Sequence, residues 1–191
     1  MRKMNFKDVF IPTISLFVIC LIVAVSLAFT NSITATKIAE NEAKSQQESM
    51  TIVCPDATKF ELIAETEDGS VFKGTNDKGD VVGYAVSTLS SGYGGQIKVM
   101  TGIATDSTII NIDVYYNDDE TPGLGKNTSN EDFTSRFIGL LTSDSIVVDK
   151  DYVGEGQKVD AVTSSTISSR AVIDAVNKAT ALYNEQVGGE S

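Results

Sequence analysis

The sequence predicts an α+β fold, in which one N-terminal transmembrane helix is followed by a single domain of helices packed on a twisted antiparallel sheet. Three observations support this prediction. An uncharged apolar run lies near the N-terminus, short β-prone segments separated by turns fill the middle of the chain, and amphipathic helical patterns follow them. The 191 residues suffice for one anchor and one domain of ordinary size.

The anchor is predicted from residues 9–29, which are strongly apolar and carry no charge. At about 1.5 Å per residue, a helix of this length spans roughly the 30 Å of a bilayer core. Pro12 is expected in the first turn, where its missing N–H does little harm. A cleaved signal peptide is the competing interpretation, with residues 26–28 as the candidate cleavage site, but its apolar region usually has only about 7–15 residues. We therefore expect an uncleaved anchor.

Basic residues predict the direction in which the anchor is inserted. Arg2, Lys3 and Lys7 precede the apolar run, whereas the first basic residue beyond it is soon offset by acidic ones. The basic flank of a membrane helix stays in the cytoplasm. We therefore expect residues 1–8 to be a cytoplasmic tail, residues 9–30 to cross the cytoplasmic membrane once, and the C-terminal domain to be extracytoplasmic.

Beyond the anchor, the sequence predicts a polar stalk or linker over residues 31–58, a folded domain over residues 59–187 and a disordered tail over residues 188–191. A helix is expected within the stalk, at residues 34–49. Two further helices are expected late in the domain. Turn residues divide the earlier part of the domain into five β-prone segments, at 61–66, 70–73, 81–89, 96–104 and 108–116. The two late helices are placed at 130–141 and 168–185.

Alternating apolar residues indicate how the sheet is covered. Ile97 and Val99 share one face of the fourth segment, and Ile110, Ile112 and Val114 form a similar stripe on the fifth. Such alternation is typical of an antiparallel sheet with one covered face.

Composition excludes several classes of function. A net charge of −11 repels phosphate backbones, so nucleic acid is not an expected partner. The chain has no histidine, which removes His-based catalytic triads and most zinc sites. Cys20 lies in the apolar run and Cys54 beyond it, and two cysteines are too few for a disulfide framework or an iron–sulfur cluster. Cys54 is expected to be an ordinary free thiol, and neither a catalytic residue nor a metal site is predicted.

A hydroxyl-rich segment, residues 160–170, runs into the start of the last predicted helix. The first N–H groups of a helix lack internal partners and the macrodipole is positive there, so a phosphate is stabilised at this position. Arg170 in the first turn would favour a phosphate, and Asp160 is a lone carboxylate upstream. Serine and threonine are also ordinary helix caps, and on composition alone a cap is the commoner explanation.

The order Asp160, two residues, Thr163, Ser164, Ser165, Thr166 resembles the flavinylation motif of the FMN-binding domain family. That motif reads Asp, two residues, Ser or Thr, Gly, Ala, Thr. The resemblance implies that Thr166 carries FMN through a phosphodiester bond, installed from FAD by a separate flavin transferase. Ser164 stands where glycine is usual and Ser165 where alanine is usual, so both positions remain small. The serine at 164 is expected to demand a different backbone dihedral from the usual glycine.

Residues 120–125 read Glu-Thr-Pro-Gly-Leu-Gly, and the Pro-Gly pair alone predicts a tight turn. The hexapeptide resembles a segment found in the G subunits of Rnf complexes and in the C subunits of sodium-pumping quinone reductases, where the loop lies over the flavin ring. Residues 91–95 are similar to the same family. The resemblance adds five candidate cofactor-binding residues: Glu120, Thr121, Gly123, Leu124 and Gly125.

The Rnf resemblance implies an electron-carrying flavoprotein subunit of an ion-translocating ferredoxin:NAD oxidoreductase, with the other membrane subunits of the complex as partners. Backbone N–H groups of both motifs would hold the flavin, and Glu120 would either tune its potential or be solvated. Three alternatives stay open. They are a C-type subunit of a sodium-translocating NADH:quinone reductase, a stand-alone extracytoplasmic electron carrier, and a non-redox binding module in which residues 163–169 only cap a helix.

Overall fold

The computed structural model describes residues 6–117, 119–151, 153–154 and 156–188. The predicted cytoplasmic tail lies mostly outside these residues, and so does the predicted disordered tail beyond Gly188. The chain divides into two units, Met1–Lys44 and Ser45–Ser191, which are described separately below.

The first helix, α1, spans Phe6–Val53 and covers both the predicted anchor and the predicted stalk helix. It begins before the apolar run, so Pro12 lies inside the helix. The sequence had suggested a position in the first turn, which was wrong. By length and composition, this helix could cross a membrane. Within the apolar part, the hydroxyls of Ser26 and Thr30 donate to carbonyls four residues earlier. Hydroxyls paired in this way carry little desolvation cost in an apolar phase.

The end of α1 has a local cause. Val53 is its last residue, and Cys54 is followed by Pro55. A residue that precedes proline is disfavoured in the helical conformation, because the proline ring crowds its backbone. The chain therefore leaves the helix here and turns into the sheet.

The domain is built on a five-stranded antiparallel sheet whose strands neighbour one another in chain order. Each predicted β-prone segment overlaps one strand, which confirms the predicted α+β fold. The strands are β1 (Lys59–Glu65), β2 (Gly69–Thr75), β3 (Val81–Ser91), β4 (Gln96–Ile103) and β5 (Ile109–Tyr116).

The helix predicted at residues 130–141 is much shorter in the structure. α2 comprises only Glu131–Thr134 and continues as a single 3₁₀ turn, Ser135–Phe137. Gly139 then adopts a φ of +80°, in the left-handed region where helices end. The apolar spacing that suggested a longer helix still has a role, because Phe133 and Phe137 are buried with their rings edge to face at 5.4 Å.

Two short strands that the sequence did not predict, β6 (Ile146–Val148) and β7 (Gln157–Val159), form a separate parallel pair. The Asn177 side chain accepts the Ile146 N–H at 2.9 Å and donates to the Ile146 carbonyl at 2.8 Å. Strands of three residues are too short to show alternation, so periodicity cannot reveal them. β7 leads directly into the hydroxyl-rich segment.

The last helix, α3, spans Thr166–Gln186 and packs on one face of the sheet. It begins two residues before the predicted start at 168. The Thr88 hydroxyl of β3 donates to the Ala175 carbonyl at 2.8 Å and ties the helix to the sheet. The buried stripe contains most of the residues predicted for it, among them Val172, Ala175, Val176, Ala179, Leu182 and Tyr183.

The opposite face of the sheet is also covered in its centre, so the prediction of one covered face was wrong. Met50 and Val53, at the end of α1, pack there with Ala85 of β3 and Met100 of β4. Gly102 permits this approach, because a Cβ at that position would collide with the Val53 carbonyl. The sequence does not reveal this contact, because the apolar end of α1 follows a polar stretch that is typical of a stalk.

A register irregularity also separates residues that the sequence placed on one stripe. Ile112 and Val114 face α3, but Ile110 packs against the cluster around Met50 on the other side. The pairing of β4 with β5 shifts near Gly102, and this shift moves Ile110 out of alternation.

Cys54 lies in the cluster around Met50, and its exposed fraction is 2%. Its thiol donates to the Tyr84 carbonyl at 3.4 Å. Burial raises the pKa of the Cys54 thiol from its ordinary 9.0 to about 12, because the apolar surroundings disfavour the thiolate. Cys54 is a free thiol, as the sequence predicted.

We predict that Cys54 is alkylated slowly in the folded protein and that the rate keeps rising above pH 9. Only the thiolate reacts, and in the folded state it forms as the pH approaches about 12. At pH 9 its fraction is roughly 500-fold below that of the unfolded chain. Iodoacetamide labelling of a Cys20→Ser protein, followed by intact-mass spectrometry across pH 7–11, measures the rate.

The same protein in urea is the control, and its labelling rate should level off near pH 9. A folded protein whose labelling also levels off near pH 9 would contradict the buried environment of Cys54.

Candidate functional site

A cleft of about 590 Å³ opens where the start of α3 meets the loop that follows β5. Its volume falls in the range of cofactor pockets. Most of the predicted site residues line it, whereas Asp160, Thr163 and Gly123 do not. The lining residues are Tyr93, Glu120, Thr121, Leu124, Gly125, Ser164, Ser165, Thr166, Ile167 and Ser168.

The loop at residues 120–125 forms the predicted tight turn. Gly123 adopts a φ of +77°, and the Leu124 N–H donates to the Thr121 carbonyl at 3.1 Å. The Asn127 side chain donates to the Gly123 carbonyl at 2.8 Å and braces the turn from outside. Leu124 keeps 42% of its surface exposed, so an apolar side chain is presented at the cleft.

On the other side of the cleft, Ser164 is held in an unusual backbone conformation. Its φ is +61°, and it stands third in a turn closed by a 3.0 Å bond from the Ser165 N–H to the Val162 carbonyl. A turn of this kind favours glycine at that position, and a side chain there costs about 1–2 kcal/mol. The expectation that serine would change the dihedral was wrong, because the serine keeps a glycine-like conformation.

The start of α3 has no side-chain cap. Ser165 occupies the N-cap position, yet its hydroxyl makes no capping bond. Among the described residues the buried Ser165 Oγ has no hydrogen-bond partner, which ordinarily costs about 1–3 kcal/mol. Thr166, the first helical residue, is half-buried. The cap-only interpretation of residues 163–169 is therefore not supported, and the first-turn N–H groups remain suited to an anion.

Arg170 does not serve the cleft as the sequence suggested. Its guanidinium donates two hydrogen bonds to the Asp151 carboxylate, at 2.9 and 2.8 Å. This forked pair holds the guanidinium, and Arg170 is not among the residues that line the cleft. The sequence did not show this partner, which lies in a short 3₁₀ turn, Asp149–Asp151, between β6 and β7.

Asp160 and Thr163 are exposed and lie on the segment that leads to the cleft. The Asp160 carbonyl accepts a hydrogen bond from Arg136 at 2.8 Å, and Arg136 also pairs with Asp132 at 2.8 Å. The backbone of Asp160 is thus fixed while its carboxylate faces solvent. Between these two residues, the Val162 N–H donates to the Ser169 hydroxyl of α3 at 3.0 Å.

Glu120 is buried, with an exposed fraction of 2%, so the alternative of a solvated Glu120 was wrong. Sequence reasoning missed three lining residues, Tyr93, Ile167 and Ser168. The resemblance at residues 91–95 was the signal for Tyr93. The other two lie in the first turn of α3, which begins earlier than predicted.

The residues present fit a flat aromatic cofactor that carries a phosphate. Tyr93, Leu124 and Ile167 expose apolar surface at the cleft, with exposed fractions of 71%, 42% and 53%. The uncapped helix start supplies backbone N–H donors for an anion. In the part of the chain that the structure describes, no lysine or arginine lines the cleft, so backbone and hydroxyl donors would hold the phosphate.

Both parts of the chain match known protein families. Residues 4–53 match the RnfG N-terminal region and residues 92–181 match the FMN-binding domain. The chain is 33% identical over 190 residues to the G subunit of the ion-translocating oxidoreductase complex of Methanosarcina acetivorans, covering 95% of this chain and 98% of that one. It is 34% identical over 198 residues to the G subunit of the Na⁺-translocating ferredoxin:NAD⁺ oxidoreductase complex of Acetobacterium woodii, covering 95% and 94%.

Among solved structures, the C subunit of the Na⁺-translocating NADH-quinone reductase from Parabacteroides distasonis has the same fold. The TM-score is 0.58 at 19% identity, with 75% of this chain and 92% of that chain covered. The similarity to the G subunits, in contrast, is one of sequence and extends over nearly the whole of both chains. The chain therefore belongs to the RnfG family, the G subunits of ion-translocating oxidoreductase complexes, and contains the FMN-binding domain of that family.

Proposed function

We propose that this chain is the electron-carrying subunit of an ion-translocating ferredoxin:NAD oxidoreductase and holds FMN covalently on Thr166. Relatives in Acetobacterium woodii and Clostridium ljungdahlii are G subunits of such complexes, which supports the role. The position of Thr166 is the observation that supports the proposed attachment. It is the first residue of α3, it is half-buried, and it lines the cleft at the uncapped helix start.

The neighbouring hydroxyls are less suited to attachment. Ser165 Oγ is buried and out of reach of a transferase. Thr163 is exposed but does not line the cleft, and Ser164 lies in the turn before the helix. A phosphate on Thr166 would lie at the positive end of the α3 dipole. Attachment at Thr166 therefore combines access with electrostatic stabilisation.

Bound FMN would supply the redox chemistry, and the protein would supply position and environment. The first-turn N–H groups of α3 would stabilise the phosphate charge. Tyr93, Leu124 and Ile167 would exclude water from the ring because their exposed apolar surfaces lie around the cleft. We assign no nucleophile or acid–base pair, since an electron carrier transforms no organic substrate.

The proposed location is the outer side of the cytoplasmic membrane. The apolar helix and the similarity to subunits of membrane complexes support anchoring by an uncleaved α1. The other membrane subunits of the complex would then be the redox partners, and a flavin transferase would act during maturation. The exposed carboxylate of Asp160, at the start of the motif, is accessible for recognition by that enzyme.

The C-type subunit of a quinone reductase is less well supported. The likeness to that protein is one of fold, at 19% identity, whereas the G subunits of Methanosarcina acetivorans and Acetobacterium woodii are 33% and 34% identical to this chain. We find no feature that favours a stand-alone carrier.

We predict that Thr166→Ala abolishes covalent FMN and leaves the fold intact, because the change removes only a half-buried hydroxyl and a methyl group. Covalent flavin is measured by intact-mass spectrometry and by fluorescence in denaturing gels, after co-production with a flavin transferase. Thermal unfolding checks the fold.

Thr58→Ala is the control, since it removes the same atoms from an exposed site outside the motif and the cleft. It should keep full flavinylation. Fluorescent Thr166→Ala protein whose label maps to Thr163 or Ser165 would contradict the assignment.

Reporter fusions test the proposed topology. A reporter fused after Ser191 should behave as extracytoplasmic, because Arg2, Lys3 and Lys7 hold the N-terminus in the cytoplasm. Paired alkaline phosphatase and fluorescent-protein fusions measure the location, and the same fusions placed before residue 9 are the control. An active phosphatase only in the N-terminal fusion would reverse the proposed orientation.

A substitution at Leu124 separates contact with the flavin ring from attachment at Thr166. Leu124→Ala should shift the absorption spectrum and midpoint potential of the flavin while Thr166 stays fully flavinylated, because water would reach the ring. A change of about 1 kcal/mol in the relative stability of the two redox forms corresponds to roughly 20 mV for a two-electron couple. Spectroelectrochemistry measures this shift.

Ile138→Ala serves as a control, since Ile138 is an exposed apolar residue that does not line the cleft. If Leu124→Ala and Ile138→Ala give the same spectrum and potential, the loop is only a turn and residues 120–125 leave the proposed site.

A further inference from the structure

Glu120 is the buried acidic side chain at the cleft for which the proposed function gives no role. Only 2% of its surface is exposed. Among the described residues no lysine or arginine forms an ion pair with it. A buried carboxylate is costly unless hydrogen bonds replace its water. The burial of the Glu120 carboxylate therefore depends on its hydrogen-bond donors.

Three donors from two distant segments satisfy the Glu120 carboxylate. Oε1 accepts the N–H groups of Tyr93 at 2.7 Å and of Gly94 at 3.1 Å. Oε2 accepts the hydroxyl of Ser168 at 2.7 Å. Tyr93 and Gly94 lie in the connection between β3 and β4, and Ser168 lies in the first turn of α3. One carboxylate thus joins three walls of the cleft, its own loop included.

Two glycines show how closely the backbone encloses this carboxylate. A Cβ on Gly92 would collide with Oε1 of Glu120, and a Cβ on Gly125 would collide with Oε2. Both positions therefore leave space for the carboxylate itself. Gly125 belongs to the same Glu-Thr-Pro-Gly-Leu-Gly segment as Glu120, so that segment contains both the carboxylate and part of its enclosure.

We propose that Glu120 is the positioning residue of the flavin site. Its carboxylate fixes the first turn of α3, which carries Thr166, against the 121–125 loop and the turn that carries Tyr93. It acts through the geometry of its hydrogen bonds, and its negative charge is not required. The flavin readouts below rest on the proposed function, whereas the hydrogen-exchange readout does not.

The test uses the full-length membrane-anchored chain, co-produced with a flavin transferase. Glu120→Gln keeps the shape, because the amide oxygen can accept both N–H groups and the amide nitrogen can donate to the Ser168 hydroxyl. Glu120→Ala removes all three bonds. Asp119→Asn is the matched control for charge, since Asp119 is an exposed neighbouring carboxylate.

We expect Glu120→Gln to match Asp119→Asn in flavinylation rate, visible circular dichroism of the flavin, and midpoint potential. Glu120→Ala should lose most of the induced circular dichroism, and its flavinylation rate should fall about tenfold or more, since small misplacement of reacting groups has effects of this size. Ser168→Ala, which removes one bond with little change in volume, should change in the same direction to a smaller extent. It carries the test if Glu120→Ala fails to fold.

Two results would overturn the proposal. If Glu120→Gln moves the potential as far as the variants that break the bonds, charge is the property that matters. If Glu120→Ala and Ser168→Ala are both indistinguishable from Asp119→Asn, the bonds do not position the site.

Hydrogen exchange of the unflavinylated protein separates this proposal from the proposed function. The amides of Tyr93 and Gly94 should exchange at least about tenfold faster in Glu120→Ala than in Glu120→Gln, because only alanine removes their acceptor. If that contrast holds while the unsubstituted chain takes up no flavin, the proposed attachment fails, whereas Glu120 still positions the three walls of the cleft. Equal exchange in the two variants would overturn the positioning role itself.

Discussion

The structure depends most on the packing of α3 against the sheet. Its buried stripe gives this helix one position, and each fully buried aliphatic side chain in the stripe contributes about 1.5–3 kcal/mol. The same helix begins at Thr166 on the rim of the cleft. The core therefore places the start of α3 beside the loop after β5. Hydrogen bonds at the cleft between segments distant in sequence, such as those of Glu120, then hold its walls together.

The sequence predicted the parts of the fold that have a local signal. Turn residues and β-prone segments indicated all five strands of the large sheet, and helical spacing indicated the stripe of α3. The parts that depend on contacts between distant segments could not be predicted. These include the covering of the second sheet face by the end of α1, the three-residue strands β6 and β7, and the shortening of α2 at Gly139. Each of these features results from tertiary packing or from a single backbone dihedral angle. Neither produces a periodic pattern in the sequence.

The candidate site shows the same division. The two motifs indicated most lining residues, because their spacing and resemblance are local features of the chain. They did not show that Arg170 pairs with Asp151 or that Glu120 is enclosed by donors from the β3–β4 connection. Both findings concern partners 19 or more residues away in sequence. A motif thus shows which charged residue is present but not which residue pairs with it. The pairing decides whether the charged side chain faces the ligand.

The site also carries local costs that a purely structural helix start would avoid. Ser164 has a positive φ, the Ser165 hydroxyl is unpaired among the described residues, and the first turn of α3 has no side-chain cap. In the described part of the chain, no basic side chain lines the cleft. A dissociable phosphate would thus depend on backbone dipoles at an open surface. Under the proposed attachment, the bond to Thr166 removes dissociation altogether, so retention no longer depends on a cationic pocket. This absence of cations is consistent with a cofactor held covalently, since the donors that remain need only orient the phosphate.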